Sequence, residues 1–379
     1  MTARGAVKRI LFVIDGLPGG GAERVVVTLA GELAARGNDV SIANLRDVQS
    51  YVLPPGVRLI PCFDTAPYWR HRVGEIGRRA GQLNQALAEF PDWDLVISSL
   101  LTSDRIVRRS RVGDRAWYNV PSVLSVQFLA GAGRLKKARR VARLRSIYDD
   151  DRVIAVSQSV ARDLTNEIGL APARIEVIHN PFRIKEIQRL AAEPCELEGS
   201  EYLVSVGRFD PAKRPDRLLG AFARSGFAGR LVLLGTGTQE QIEAVQRRVL
   251  ELDLQGRVAL LGFQSNPYPY MRHARALVLS SDREGFGNVL VEALICGTPV
   301  VSTRCPGGVE EILTGTLSVG LADLTEEGLA TAIDRVLESP PSIEPGHYSR
   351  FDVRKIADRY LALAEPEGAR ARGASVDAS

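Results

Sequence analysis

Short apolar runs alternate with stretches of helical periodicity along this chain, and the alternation happens twice. In the first half the runs Arg9–Asp15, Val40–Leu45, Arg58–Cys62, Leu95–Ser99, Val123–Gln127, Val153–Ser157 and Glu176–His179 read as strands. Most are apolar at nearly every position, as expected for strands of a parallel sheet covered on both faces. Helical spacing lies between them, most clearly in Ala22–Arg36 and Ser157–Ile168, with Ser157 and Ser159 as N-cap candidates. A polar stretch with Pro181 and Pro194 spans 181–200 and reads as a linker. The pattern restarts at Tyr202–Gly207, with further strands at Arg230–Leu234, Val258–Gly262, Ala276–Ser281 and Pro299–Thr303. The fold class is therefore α/β, with two Rossmann-like parallel-sheet domains facing across a cleft. The expected domains are 1–185 and 186–350. A terminal helix over 351–364 is expected to return to the first domain, as is common in this fold. The Gly-, Ala-, Ser- and charge-rich tail 365–379 is expected to be disordered.

Charge divides the chain as the strand pattern does. Residues 1–190 carry 29 Lys and Arg against 19 Asp and Glu, and residues 191–379 carry 20 against 26. A basic first half predicts an anionic partner on that side. Its densest piece, Arg134–Arg145, interleaves basic residues with Leu135, Ala138, Val141, Ala142 and Leu144 near helical spacing. That pattern suits a basic amphipathic helix lying on an anionic membrane surface, and equally a solvated helix face with ordinary core contacts. No run of about 18 apolar residues marks a transmembrane helix, and no signal peptide is expected ahead of the first strand. Cys62, Cys195, Cys296 and Cys305 are scattered, which predicts a reducing cytoplasm rather than disulfides or a zinc site. No metal is expected, because the acids of Asp149–Asp151 are consecutive and no Asp-x-Asp pair sits convincingly at a strand end. No nucleic-acid partner is expected.

Five loops after strands carry residues suited to chemistry. In Ser281-Asp-Arg-Glu-Gly-Phe-Gly-Asn-Val-Leu-Val-Glu292, seven residues separate Glu284 from Glu292. Glu284 follows a strand, and Glu292 lies in a helix starting near Gly287 or Asn288. Strand ends that feed helix starts are where open α/β sheets bind ligands. Two acids there suit sugar hydroxyls beside a bound phosphate. Gly207-Arg208-Phe-Asp-Pro-Ala-Lys213 offers a guanidinium and an ammonium to a diphosphate. Gly16–Arg24, with Gly20, Gly21 and Glu23, lets the backbone approach a ligand closely and departs from the dinucleotide G-x-G-x-x-G fingerprint. Gly235-Thr-Gly237 and Gly262–Met271, which includes Phe263, end two further strands. Tyr268 and Tyr270 read as packing residues.

The Glu284–Glu292 spacing resembles the E-x7-E motif of retaining glycosyltransferases of family 4, a two-domain fold of the GT-B type. The resemblance runs through Gly297–Thr303 and Gly307–Leu313, and it spans about residues 8–364. It is similar to a subgroup that builds bacterial polysaccharide and lipid-linked glycans. It implies a nucleotide diphosphate sugar donor, UDP-sugar by family frequency, and a glycan or lipid-linked acceptor. It implies no cofactor beyond that donor. Arg208 and Lys213 would hold the diphosphate and stabilise its charge as it leaves. Glu292 would accept from the ribose hydroxyls, and Glu284 would sit beside the donor sugar. The backbone of Gly285, Phe286, Gly287 and Asn288 would close over the sugar and diphosphate. Gly237 and Phe263 would flank ribose and base, and Gly20, Gly21 and Glu23 would lie near the diphosphate and acceptor. Family members often carry a histidine after the fifth strand, where this chain has Ser125-Val-Gln127. Gln127 offers hydrogen bonds there but no proton shuttle. Localisation is expected in the cytoplasm, peripheral at the inner face of the membrane. A UDP-sugar epimerase of the same architecture and an inactive sugar-nucleotide-binding protein remain as rival readings.

Overall fold

The structure, a computed structural model, describes residues 6–17, 20–48, 51–63 and 74–365. Its chain divides into two compact units. One holds Met1–Val156, Ala161–Pro181 and Val353–Ser379, and the other holds Ser157–Val160 and Phe182–Asp352.

In the first unit β1 (Arg9–Ile14), β2 (Asp39–Asn44), β3 (Val57–Pro61), β4 (Leu95–Ser99), β5 (Ala116–Val120), β6 (Arg152–Ala155) and β7 (Arg174–Val177) form one sheet in the order β3-β2-β1-β4-β5-β6-β7. Every pairing in it is parallel. Ile10, Phe12 and Ile14 of β1 pack with Val26, Leu29 and Leu33 of the helix Gly21–Ala35. The terminal helix Val353–Leu363 adds Ile356, Ala357, Tyr360 and Leu363 to the same core. Its Asp358 takes a hydrogen bond of 2.5 Å from Arg36. Of the tail 365–379 only Glu365 lies within the described residues.

The fifth strand of this unit lies elsewhere than the apolar pattern suggested. Val123–Gln127 is not a strand: β5 is Ala116–Val120, and Ser125–Leu129 forms a π-helical turn. Asp163 holds that turn, accepting from the Ser125 amide at 3.1 Å and from the Ser125 hydroxyl. Burial pushes the Asp163 carboxyl above its ordinary value, against the pull of those bonds. The three consecutive acids after the basic helix play separate parts. Asp149 accepts from the Ala171 amide at 2.9 Å, Asp150 turns the chain at φ +60°, and Asp151 lies 2.8 Å from Arg108.

In the second unit β8 (Tyr202–Val206), β9 (Arg230–Leu234), β10 (Val258–Gly262), β11 (Ala276–Leu279), β12 (Val300–Thr303) and β13 (Leu321–Ala322) pair in parallel in the order β10-β9-β8-β11-β12-β13. Leu203, Leu231, Leu233, Ala276 and Val278 meet Leu218, Phe222, Ile333 and Val336 from flanking helices. In both sheets the strand order reverses beside the first strand of the unit, between β1 and β4 and between β8 and β11. Ligands of open α/β sheets bind at the carboxyl edge of such a reversal.

Candidate functional site

At the reversal in the second unit, the loops after β8 and β11 meet. Asp210 accepts from the Ala212 amide at 3.0 Å and starts a short turn, Pro211–Lys213. That turn brings the Lys213 ammonium to 2.6 Å from Glu284 Oε1. The Ser281 hydroxyl donates to the same oxygen at 2.6 Å. Among the described residues Glu284 Oε2 takes no hydrogen bond. One oxygen of Glu284 is thus fixed by the protein. Arg217 braces the end of β11 from below, donating to the Ser280 carbonyl at 2.8 Å and to Asp282 at 2.6 Å. Arg214 is taken up by Asp216 and Asp282, and its bond to Asp216 raises its pKa above the ordinary arginine value.

Arg208 stands differently. Its side chain is 78% exposed, and its partner is the neighbouring Asp210 at 3.1 Å. It lines one pocket with Gly207, Phe209, Lys213 and Ser280. An exposed cation with one local partner is free to swing onto an anion at small cost.

Gly287, at φ +99°, turns the loop into the helix Asn288–Cys296. Glu292 is buried on that helix, and the Tyr268 hydroxyl donates to its Oε1 at 3.4 Å. Tyr268 is buried as well, at the start of the short helix Tyr268–Arg272, and the side chain of Asn266 just before it accepts from the Tyr268 amide and donates to the Leu190 carbonyl. Phe286 is a packing residue, its ring edge-on to Phe351 at 5.2 Å. Gly237 lies just before the Thr238 N-cap of the helix Gln239–Glu251. Phe263 follows β10 and is 70% exposed. The strand ends are stitched side by side: the Gly207 amide donates to Leu234 O and the Gly235 amide to Gly262 O.

In the first unit Gly20 is the N-cap of the helix Gly21–Ala35. The Glu23 carboxylate folds back over it so closely that a Cβ there would lie 2.3 Å from Oε2. Tyr51 donates to the Gly20 carbonyl at 3.0 Å. Gly19 lies outside the described residues. Gln127 is exposed in the π-helical turn, where its Oε1 accepts from Ser122 at 2.6 Å. The basic stretch is a helix, Arg134–Tyr148, of which only Leu144, Ile147 and Tyr148 are buried. Leu135 is 69% exposed, and Ala138 and Ala142 are exposed beside the basic residues.

The second unit thus gathers Arg208, Lys213, Glu284 and the loop 285–288 at one sheet edge, with Glu292 on the following helix. Gly20, Gly21, Glu23 and Gln127 belong to the first. Sequence reasoning missed Ser281 and Arg217, which position the acid and its strand end. A serine pair before Asp282 was the available signal for the first.

The glycosyl transferases group 1 model matches residues 188–350, and the glycosyltransferase family 4 model matches residues 19–186. The chain belongs to the family 4 glycosyltransferases of GT-B fold. A 163-residue stretch is 34% identical to the N-acetylgalactosamine-N,N'-diacetylbacillosaminyl-diphospho-undecaprenol 4-alpha-N-acetylgalactosaminyltransferase of Campylobacter jejuni, covering 43% of this chain and 44% of that one. A 239-residue stretch is 28% identical to the N-acetyl-alpha-D-glucosaminyl L-malate synthase of Bacillus anthracis, covering 57% of this chain and 60% of that one. The matches therefore span about half the length of these curated relatives. The crystal structure of Anabaena Alr3699/HepE in complex with UDP and glucose has the same fold, with a TM-score of 0.74 at 20% identity over 93% of this chain and 98% of that one.

Proposed function

We propose that the protein transfers a sugar from a UDP-sugar to a glycan or lipid-linked acceptor, with retention of anomeric configuration and without a metal ion. The observation that carries this reading is the grouping of Lys213, Ser281 and Glu284 beside the exposed Arg208 at the β8–β11 reversal. Arg208 and Lys213 hold the diphosphate and stabilise the negative charge that grows on it as the glycosidic bond breaks. An ammonium has three donors, so Lys213 serves Glu284 and a phosphate together. Glu284 orients a sugar hydroxyl through Oε2 and offsets positive charge at the anomeric carbon. Its anchoring by Lys213 and Ser281 suits that electrostatic role rather than a glycosidase-type nucleophile. The leaving phosphate takes the acceptor proton on the same face. Glu292 accepts from ribose hydroxyls, and Gly237 and Phe263 flank the nucleoside. Gly20, Gly21, Glu23 and Gln127 serve the acceptor side.

UDP as nucleotide is supported by the bound UDP of the Anabaena structure, and a diphospho-lipid acceptor by the name of the Campylobacter relative. Two cations at the diphosphate position supply the charge that a metal would otherwise bring. Among the described residues no group of three or more His, Cys, Asp or Glu is placed to hold one, and no helix is long and apolar enough to cross a membrane. Peripheral contact at the inner face of the cell membrane is proposed through Arg134–Arg145. Sedimentation with anionic liposomes tests it, since each basic residue near the surface contributes about 1 kcal/mol. Neutralising Lys136, Lys137, Arg139 and Arg140 is expected to abolish binding, and unchanged sedimentation would refute the membrane role.

A thermal-shift screen of nucleotide sugars tests the donor site. Stabilisation by a UDP-sugar in wild type, lost in Glu292→Ala, is the expected result. A folded protein that responds to no nucleotide would overturn the site assignment.

A further inference from the structure

Glu284 sits on a loop whose shape depends on three residues far from it in sequence. The Glu284 amide donates to the Pro306 carbonyl at 3.0 Å, and the Gly308 amide donates to Gly285 O at 3.1 Å. Gly307, at φ +129°, seats the Glu284 carbonyl so closely that a Cβ would lie 1.4 Å from it. This two-stranded clasp is itself held from one side by the segment Ser157–Val160, which belongs to the same unit. The Ser157 hydroxyl donates to Gly285 O at 2.9 Å, and the Gly307 amide donates to Ser159 Oγ at 3.0 Å. Each serine therefore grips one half of the clasp. The Glu311 carboxylate fixes the serines in turn, accepting from the Gln158 and Ser159 amides at 3.0 Å each, one on either oxygen. Ser157 also caps that turn through the Val160 amide at 3.1 Å. Arg350 donates to the Glu311 carbonyl and ties down the carboxylate's own backbone.

From this we infer that Ser157, Ser159 and Glu311 are positioning residues for Glu284. They set where its carboxylate stands while touching neither donor nor acceptor. Ser157 is fully buried, so losing its hydroxyl leaves Gly285 O short of a partner that solvent does not replace. The loop then relaxes and carries Glu284 away from the sugar. A misplacement of about 1 Å costs up to about 100-fold in rate. The nucleotide contacts assigned to Arg208 and Glu292 lie on other elements and remain. The inference rests on the proposed role of Glu284, and its signature is a fall in turnover without a fall in UDP affinity.

The test compares wild type, Ser157→Ala, Ser159→Ala, Glu311→Gln and the conservative Ser157→Thr by two readouts. Hydrogen–deuterium exchange over residues 282–289 reads the loop directly and needs no turnover. Release of UDP from UDP-glucose, UDP-galactose and their N-acetylated forms, in the presence of a bacterial membrane extract whose glycans and lipid-linked glycans take the sugar, reads the chemistry, with UDP titration as control. The Ala and Gln variants are expected to exchange several-fold faster in this segment. They should release UDP about 10- to 100-fold more slowly and bind UDP within about twofold of wild type, while Ser157→Thr, which keeps the hydroxyl, should stay at the wild-type level. Wild-type exchange in all variants, or UDP affinity falling in step with the rate, would overturn the inference. A wild type that turns over no donor would sink the proposed function instead, and the exchange data would still decide the positioning role.

Discussion

Arg208→Ala separates binding from stability most sharply. The Arg208 side chain is 78% exposed and, among the described residues, pairs only with Asp210, two residues away, at 3.1 Å. Exposed pairs of this kind contribute about 0.2–1 kcal/mol. For a protein of this size that corresponds to a Tm loss of about 3 °C or less. The proposed contact to a diphosphate is a charge-assisted hydrogen bond, worth about 1.5–3 kcal/mol. Its loss therefore weakens UDP binding about 10- to 150-fold. Calorimetric titration of UDP into both proteins, with melting curves alongside, reads the two effects independently. Added salt should narrow the gap, since the contact is screened. UDP affinity unchanged in the variant would remove Arg208 from the donor site. A melting point lowered by about 8 °C or more would give it a structural role instead.

Other positions are expected to respond in distinct ways. Gly307→Ala forces a Cβ onto the Glu284 carbonyl at positive φ, so urea unfolding should show a loss of about 2 kcal/mol or more; wild-type stability would contradict the geometry. Tyr268→Phe removes one weak hydrogen bond to Glu292 and should reduce the preference for UDP over its 2′-deoxy analogue about two- to tenfold, whereas an unaltered preference would detach Tyr268 from ribose binding. Buried Asp104 accepts from Ser98 at 2.6 Å and Tyr148 at 2.8 Å, yet burial pushes its carboxyl up to about 7. The folded state thus holds this proton more tightly than the unfolded chain, so its contribution is full below about pH 4 and is lost as pH rises toward 7. Asp104→Asn, uncharged throughout, should gain in Tm relative to wild type between about pH 5 and pH 8, and a difference that stays flat would contradict a buried, titrating Asp104.

Much of this fold was legible because its signals are local. Apolar runs of strand length between helical periods marked twelve positions where strands were sought, and Gly207–Lys213 and Ser281–Glu292 lie at the strand ends where the ligand chemistry was expected. The errors arose where distant contacts decide. Ala116–Val120 mixes Trp117, Tyr118 and Asn119, and it becomes a buried strand because β4 and β6 flank it and Asn119 finds Ser99. Val123–Gln127 looks more like a strand, but Asp163 draws Ser125 into a π-helical turn. β13 spans only two residues, too short for any periodicity to register. The acids Glu284 and Glu292 belong to one short motif and were visible at once. Ser157, Ser159 and Glu311 act across 128 to 153 residues of chain, and nothing in their local sequence announces the loop they hold.

The most direct measurement follows radiolabelled sugar from a panel of UDP-sugars incubated with the protein and a bacterial membrane extract. The account predicts that label from at least one donor enters an extractable lipid-linked or glycan product, with UDP released in equal amount. Lys213→Met should abolish that transfer while the protein stays folded. Label that remains in the nucleotide sugar, or that returns only as an epimer of it, would contradict a transferase.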